Sequence, residues 1–208
     1  MIKRTPIYTK AEPSRSAGLF WLFCEGERKE RHYFNFWNKN NSRILVAPEI
    51  IDQNNSPVGL YKFAEKHISS NDFRVELDQV WLILDTDNWP HGDLINVRDL
   101  ISNKSNWFIA QSNPCFEVWL YYHHKNEKPP QKLCTEWKNY LNDLVRGGFQ
   151  NSKHACLIET AIINSAANFS CSTAGPDQEC TEVHFLAEKI LPLVKPYLDG
   201  LAGKPILV

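Results

Sequence analysis

Four short apolar runs alternate with stretches of helical periodicity over the first 115 or so residues, and this alternation limits the fold more than any other feature. Residues 18–25 (GLFWLFCE), 43–48 (RILVAP), 80–84 (VWLIL) and 107–111 (WFIAQ) read as strands. Between the first two, residues 27–39 read as a helix with Tyr33, Phe34, Phe36 and Trp37 turned inward. Residues 57–69 form the second helix, with Ser56 as N-cap and Pro57 at the first helical position. Residues 93–102 form the third, with Leu94, Ile95, Val97, Leu100 and Ile101 as its inner face. Strands alternating with helices predict an α/β fold with a parallel, helix-flanked sheet.

From Pro114 onward the period changes. Residues 115–124 can be helical, and 131–146, 153–168 and 180–198 read as helices joined by polar turns. The expected organisation is a basic arm at 1–17, an α/β core at 18–125, and a mostly helical part at 126–208 packed on that core. With 43% hydrophobic and 23% charged residues, wholesale disorder is excluded. Seven Trp, eleven Phe and seven Tyr predict an aromatic-rich interior.

A net charge of −1 rules out a uniformly basic nucleic-acid coat. The charge is nonetheless uneven. Residues 1–40 hold eight Lys/Arg against four Glu, a net of +4, which leaves −5 for the remainder. A polyanion is then met at one end and excluded from the other, unless the basic arm is only a solvated segment. No apolar run reaches about 18 residues, so no membrane span is expected. The opening MIKRTPIYTKAEPSRS does not read as a secretory signal. The six cysteines include no CxxC pair and read as reduced thiols of a cytoplasmic protein. A zinc site from Cys171, Cys180 and His184 is the competing reading, although only Cys180 and His184 share helical spacing.

In a parallel sheet, ligands gather beyond the carboxyl ends of the strands. Three of the expected strands end in polar residues there: Glu25-Gly26-Glu27, Asp85-Thr86-Asp87, and Gln111-Ser112-Asn113-Pro114 with Glu117 just beyond. Glu25, Asp85 and Asp87 are therefore expected at one rim. Carboxylates held beside an apolar sheet cost several kcal/mol (on the order of that per uncompensated charge) unless something neutralises them. Mg²⁺ or Mn²⁺ is the natural partner of such oxygen ligands, and such ions stabilise displacement at phosphorus.

These residues carry a resemblance. Glu25-Gly26 after one apolar strand and Asp85-x-Asp87 after another resemble the Toprim domain of topoisomerases, primases and OLD-type nucleases. More specifically, CEGERKERHYF (24–34), VWLILDTD (80–87), SNPCFEVWL (112–120) and TEVH (181–184) resemble the RloB family, which is associated with abortive infection and restriction loci. The resemblance implies a Toprim-like (Rossmann-like) fold and a metal-dependent nuclease of bacterial anti-phage defence, acting on RNA or DNA. It also implies an AAA/ABC-class ATPase partner encoded nearby. On it, Glu25 is a general base or metal ligand, and Asp85 and Asp87 are the metal-binding pair. Glu117 and Asn113 fall in the SNP-x-FE block, and Glu30 is a further acid of the first motif. Lys29, Arg31 and His32 replace the family's usual residues there, and Thr86 stands where a basic residue is usual. Phosphate contact is therefore assigned to Arg28 or Lys29.

Duller roles compete with each assignment. Glu25, Asp85 and Asp87 are acceptable helix caps, Glu30 and Glu117 complement helix dipoles, and Asn113 suits a turn. His123 and His124 read as surface residues, and His184 as a packed one. A second functional reading is a non-catalytic Toprim-like sensor or adaptor that binds nucleic acid or nucleotide and docks on an ATPase. A third is a small-nucleotide-binding signalling protein using the same rim. Motifs for serine hydrolases, P-loop NTPases, dinucleotide binding and HExxH metalloproteases are absent from the sequence. Oligomeric state is open.

Overall fold

A computed structural model of the chain describes residues 14, 16–26, 28–48, 56–87 and 89–201. Most of the predicted basic arm lies outside the described residues. The four predicted strands are present as β1 (Phe20–Cys24), β2 (Ile44–Val46), β3 (Gln79–Asp85) and β4 (Trp107–Asn113). Helices α1 (Lys29–Asn40), α2 (Pro57–Ser69) and α3 (His91–Ile101) connect them. The sheet order is β2-β1-β3-β4, all parallel, with β7 (Cys180–Thr181) added antiparallel beyond β4. The fold is α/β, of Rossmann-like type, with a helical C-terminal part.

Each strand is apolar on both faces because each face is covered. Period-2 alternation sends Leu22, Cys24, Trp81, Ile83 and Ala110 to one side, and Phe23, Leu82, Leu84 and Ile109 to the other. The second face is covered by α2 and α3. Ser56 Oγ accepts the N–H of Gly59 at 3.0 Å, which fixes the start of α2 as its sequence predicts.

The first face carries the larger core, in which α4 (Glu117–Tyr122) is buried on every side. Around it pack α1, α5 (Cys134–Leu144), α7 (Ile158–Ala167) and α8 (Val183–Leu201). The short α6 (Asn151–His154) and a 3₁₀ turn at Ala155–Leu157 lead into α7. Trp37, Trp119, Trp137, Tyr33, Tyr121 and Phe116 are fully buried in this layer, so residues on both sides of position 125 share one core.

Three expectations change. Ile95 and Leu100 are 37% and 38% exposed, because α3 packs only along Leu94, Val97 and Ile101, a stripe at i, i+3 and i+7. The segment read as a polar turn at 172–179 contains the hairpin β5 (Cys171–Ser172) with β6 (Gly175–Pro176), and β7 follows before α8 begins. Two-residue strands lie below the length at which side-chain alternation is readable, and β7 forms here because β4 offers it an open edge.

His123 is the third. It is buried rather than exposed: α4 delivers it between Tyr33, Trp119 and Phe149. Its Nδ1–H donates to Trp119 O at 3.0 Å, and Nε2 accepts from the Tyr33 hydroxyl at 3.1 Å. His124 beside it is half-buried against Phe149 and His154.

Burial pushes the His123 pKa down to about 3. The unfolded chain therefore binds one more proton than the fold between about pH 6.5 and about 3, so stability falls with acidification through that window. Below pH 6.5, urea unfolding from pH 7 to 4 is expected to show wild type losing about 1.4 kcal/mol per pH unit relative to His123→Gln. His123→Gln is expected to be less stable at pH 7, with a pH profile that differs from wild type by one proton; parallel profiles would contradict the assignment.

Candidate active site

The acids converge where the sheet reverses its direction of growth. From β1 the chain builds out to β2, then returns to lay β3 along the other side of β1. Such a reversal leaves a crevice between the carboxyl ends of the two central strands. Glu25 directly follows β1 and Asp85 ends β3, on opposite banks of that crevice. The Asp85 N–H donates to Glu25 Oε2 at 3.1 Å, and the Trp89 indole N–H donates to Oε1 at 2.5 Å.

Glu30, on the first turn of α1, is buried beside them. A Cβ on Gly26 would lie 2.1 Å from Glu30 Oε2, so the glycine is what admits this carboxylate to the crevice. Asp87 is exposed at the mouth.

Charge accumulates faster than the surroundings neutralise it. Burial, then Glu30, Glu25 and Asp87, hold the Asp85 carboxyl well above the usual carboxylate range. Burial pushes Glu25 up to about 7, with Asp87 and Glu30 adding and the bonds from Trp89 and Asp85 opposing. Burial likewise raises Glu30, against the ammonium of Lys29. Asp85 Oδ1 is enclosed and has no hydrogen-bond partner.

The turn that presents Asp85 and Asp87 is fixed from below. The N–H of Thr86 donates to Ser112 O and Pro114 O, each at 3.0 Å, and that of Asp87 to Pro114 O at 3.1 Å. The Thr86 hydroxyl donates to Ser112 O at 2.9 Å and accepts from Gln111 Nε2 at 2.7 Å. Gln111 in turn accepts from Arg98, which also pairs with Glu182 at 2.8 Å. Thr86 thus serves as an anchor in this chain. Sequence reasoning missed Trp89, Arg98 and Glu182 and gave Gln111 only as part of a polar strand end; the TEVH block containing Glu182 was the available signal.

Glu117 sits deeper than a rim ligand. It is 2% exposed, ion-paired with Lys29, and grouped with Cys115 and Cys134, their ligand atoms all within 4.8 Å of one another. Lys29 thereby spends its ammonium on a protein carboxylate, while Arg28 is exposed at the N-cap of α1. Asn113 ends β4 and donates to Pro176 O at 3.0 Å, tying the hairpin to the sheet. Among the described residues, Cys171, Cys180 and His184 do not form a ligand group: Cys171 is exposed, and His184 Nδ1 is within hydrogen-bond distance of Thr181 O and Ser165 Oγ. A concavity of about 990 Å³ lies at the opposite rim, where Lys104 is held by Glu65 over Trp107.

Residues 20–190 match a family model described as RloB-like protein. The chain belongs to the RloB family. No match was found among curated proteins or among solved structures. The span shared with RloB-like proteins runs from β1 into α8, so it contains all the crevice acids together with the Glu182–Arg98–Gln111–Thr86 chain. Among the described residues, no helix is long and apolar enough to cross a membrane.

Among the described residues, Cys115, Glu117 and Cys134 are the group whose ligand atoms lie within 4.8 Å of one another; Glu25, Glu30, Asp85 and Asp87 do not close to that distance in threes, but offer only oxygen donors, the kind a hard divalent cation takes. Asp85, Asp87, Glu25 and Glu30 could hold one. The raised Glu25 contributes stability present below about pH 4.5 and lost as pH rises through about 7. In EDTA the thermal midpoint of wild type relative to Glu25→Gln is therefore expected to fall over that range, and Mn²⁺ is expected to raise the wild-type midpoint more at pH 8 than at pH 5. Asp85→Asn is expected to remove most of the Mn²⁺ effect. A Mn²⁺ shift independent of pH and of Asp85 would exclude this site.

Proposed function

We propose that this RloB-like chain is a metal-dependent nuclease, hydrolysing phosphodiester bonds of RNA or DNA with Mg²⁺ or Mn²⁺ held on Asp85 and Asp87. The reading rests above all on one observation: acids from two distant segments meet at the reversal point of the sheet around an enclosed, unpartnered carboxylate oxygen. When bound, the ion supplies positive charge to the phosphate oxygens and to the leaving group.

The chain's own residues do the rest. Glu25, near neutrality with a pKa of about 7, exchanges the proton of the attacking water or the leaving oxygen. Trp89 and the Asp85 amide orient its two oxygens, so the proton is handled at a fixed place. Thr86 and the Pro114 carbonyl keep the Asp-Thr-Asp turn in register with β4. Arg28, unpaired with any acid among the described residues, stands at the start of α1 as a phosphate contact.

The resemblance in the four sequence blocks extends the proposal to a Toprim-like catalytic unit in cytoplasmic anti-phage defence, working beside an ATPase. Mg²⁺ or Mn²⁺ is expected to support cleavage of at least one substrate in a panel of RNA, single-stranded DNA and duplex DNA, with EDTA abolishing it. Glu25→Gln and Asp85→Asn are each expected to lower the rate by about 10²-fold or more. Equal rates in wild type, both variants and EDTA would eliminate the catalytic assignment.

A further inference from the structure

A second cavity adjoins the acidic crevice. It has a volume of about 180 Å³ and lies between α1, α5 and the start of α6. Its wall nearest the crevice is the Lys29–Glu117 pair, and Lys29 acts electrostatically on Glu30, so the two sites share a partition. Lys138 and Asn142, at i and i+4 on one face of α5, line the opposite side, with Asn151 and Phe149 beside them.

Three features define what such a cavity accepts. Its volume is below the roughly 300 Å³ at which pockets begin to hold drug-sized ligands, so it takes one ring system and not a whole nucleotide. Three of its side chains are uncommitted: among the described residues, Lys138, Asn142 and Asn151 make no side-chain hydrogen bond or ion pair. Its aromatic wall is held firm, because Phe149 packs against the rings of Tyr33, His123, His124 and His154. Two amides, an aromatic face and a lysine beside a proposed phosphodiester site match an unpaired base and its phosphate. Carboxamides hydrogen-bond base edges, aromatic rings stack on any base, and ammonium groups pair with the backbone.

We infer that this cavity receives one unpaired nucleobase of the substrate strand, next to the bond that the acidic crevice acts on. The inference rests on the nuclease reading and narrows its substrate to single-stranded or locally unpaired nucleic acid. A paired base cannot enter, because its edge is occupied and its faces are stacked.

The test is binding in EDTA, where cleavage is suppressed. Fluorescence anisotropy is measured with end-labelled single-stranded RNA, single-stranded DNA and duplex DNA of equal length. Wild type is expected to bind at least one single strand roughly tenfold more tightly than duplex. Lys138→Ala and Asn142→Ala alter exposed helix positions and leave the core intact. Combined, they are expected to remove most of that preference while changing duplex affinity less than about twofold. Asp85→Asn is expected to bind single strands at least as tightly as wild type. Absence of single-strand binding, equal affinity for single strand and duplex, or a preference that survives the double variant would each overturn the inference. The two readings fail separately. Metal-dependent cleavage with an indifferent double variant removes the base pocket alone. An intact preference with no cleavage by any protein removes the nuclease reading and leaves a single-strand-binding pocket.

Discussion

The hydrogen bond from the Asp85 amide to Glu25 ties the ends of two adjacent parallel strands, and the chemistry of the crevice follows from that tie. The register places Cys24 opposite Ile83, which leaves Asp85 one residue beyond the level of Glu25, within reach of its side chain. Neither strand can yield, since Leu22, Phe23, Leu82 and Ile83 are locked in the two cores. Burial and the neighbouring acids both push the carboxyls of Glu25, Glu30 and Asp85 upward. A single hydrogen bond returns only about 0.5–1.5 kcal/mol. The bonds from Trp89 and Asp85 therefore do not offset a cluster that also holds Glu30 and Asp87. Either a proton or a cation must balance it, and the rise of Glu25, Glu30 and Asp85 is the proton's half of that balance.

The C-terminal part is joined to this crevice by a polar chain as well as by packing. Glu182, at the foot of α8, accepts the N–H of Gln111 and holds Arg98; Arg98 donates to Gln111, and Gln111 reaches Thr86. A Cβ on Gly175 would lie 2.5 Å from Gln111 Oε1 and 2.6 Å from an Arg98 nitrogen, and this residue also has φ +124°, so the hairpin before β7 closes over the chain only with glycine there. The end of β4 is held by Ser112 and Thr181, whose hydroxyls lie 2.8 Å apart. Residues about 90 or more positions beyond the acidic turn thus set its orientation, and the α/β and helical parts share a continuous first core face.

Legibility in the sequence followed the range of the interaction. Ser56 and Pro57 mark α2 because capping is decided within four residues. The strands were readable because each is buried on both faces and shows as an unbroken apolar run. Glu25, Asp85 and Asp87 could be placed at one rim because parallel strands put their carboxyl ends on one side. What escaped depends on partners far along the chain. Glu182 and Arg98 are 84 residues apart, and nothing local predicts their pairing. β7 is too short to show a period. His123 looks polar beside a Lys-Asn-Glu loop, yet it extends a helix buried all round, where Tyr33 and the Trp119 carbonyl complete its hydrogen bonds.

The capping alternative for the acids can now be weighed against their geometry. Glu25 is not a helix cap: α1 starts after Arg28 with no side-chain cap, and both Glu25 oxygens are turned to β3 and Trp89. Nor does Asp85 or Asp87 cap α3, whose N-cap is Pro90, again without a side-chain bond. Helix termini leave several backbone N–H groups unsatisfied, and an acid one or two residues away normally answers them. Here three acids decline that role while the helix starts go uncapped, and one buried oxygen is left without any donor. A fold selected for stability alone would have used these carboxylates on the helices. Their placement in the crevice, with Asp85 Oδ1 enclosed and unpartnered, is what the proposed cation site accounts for and helix capping does not.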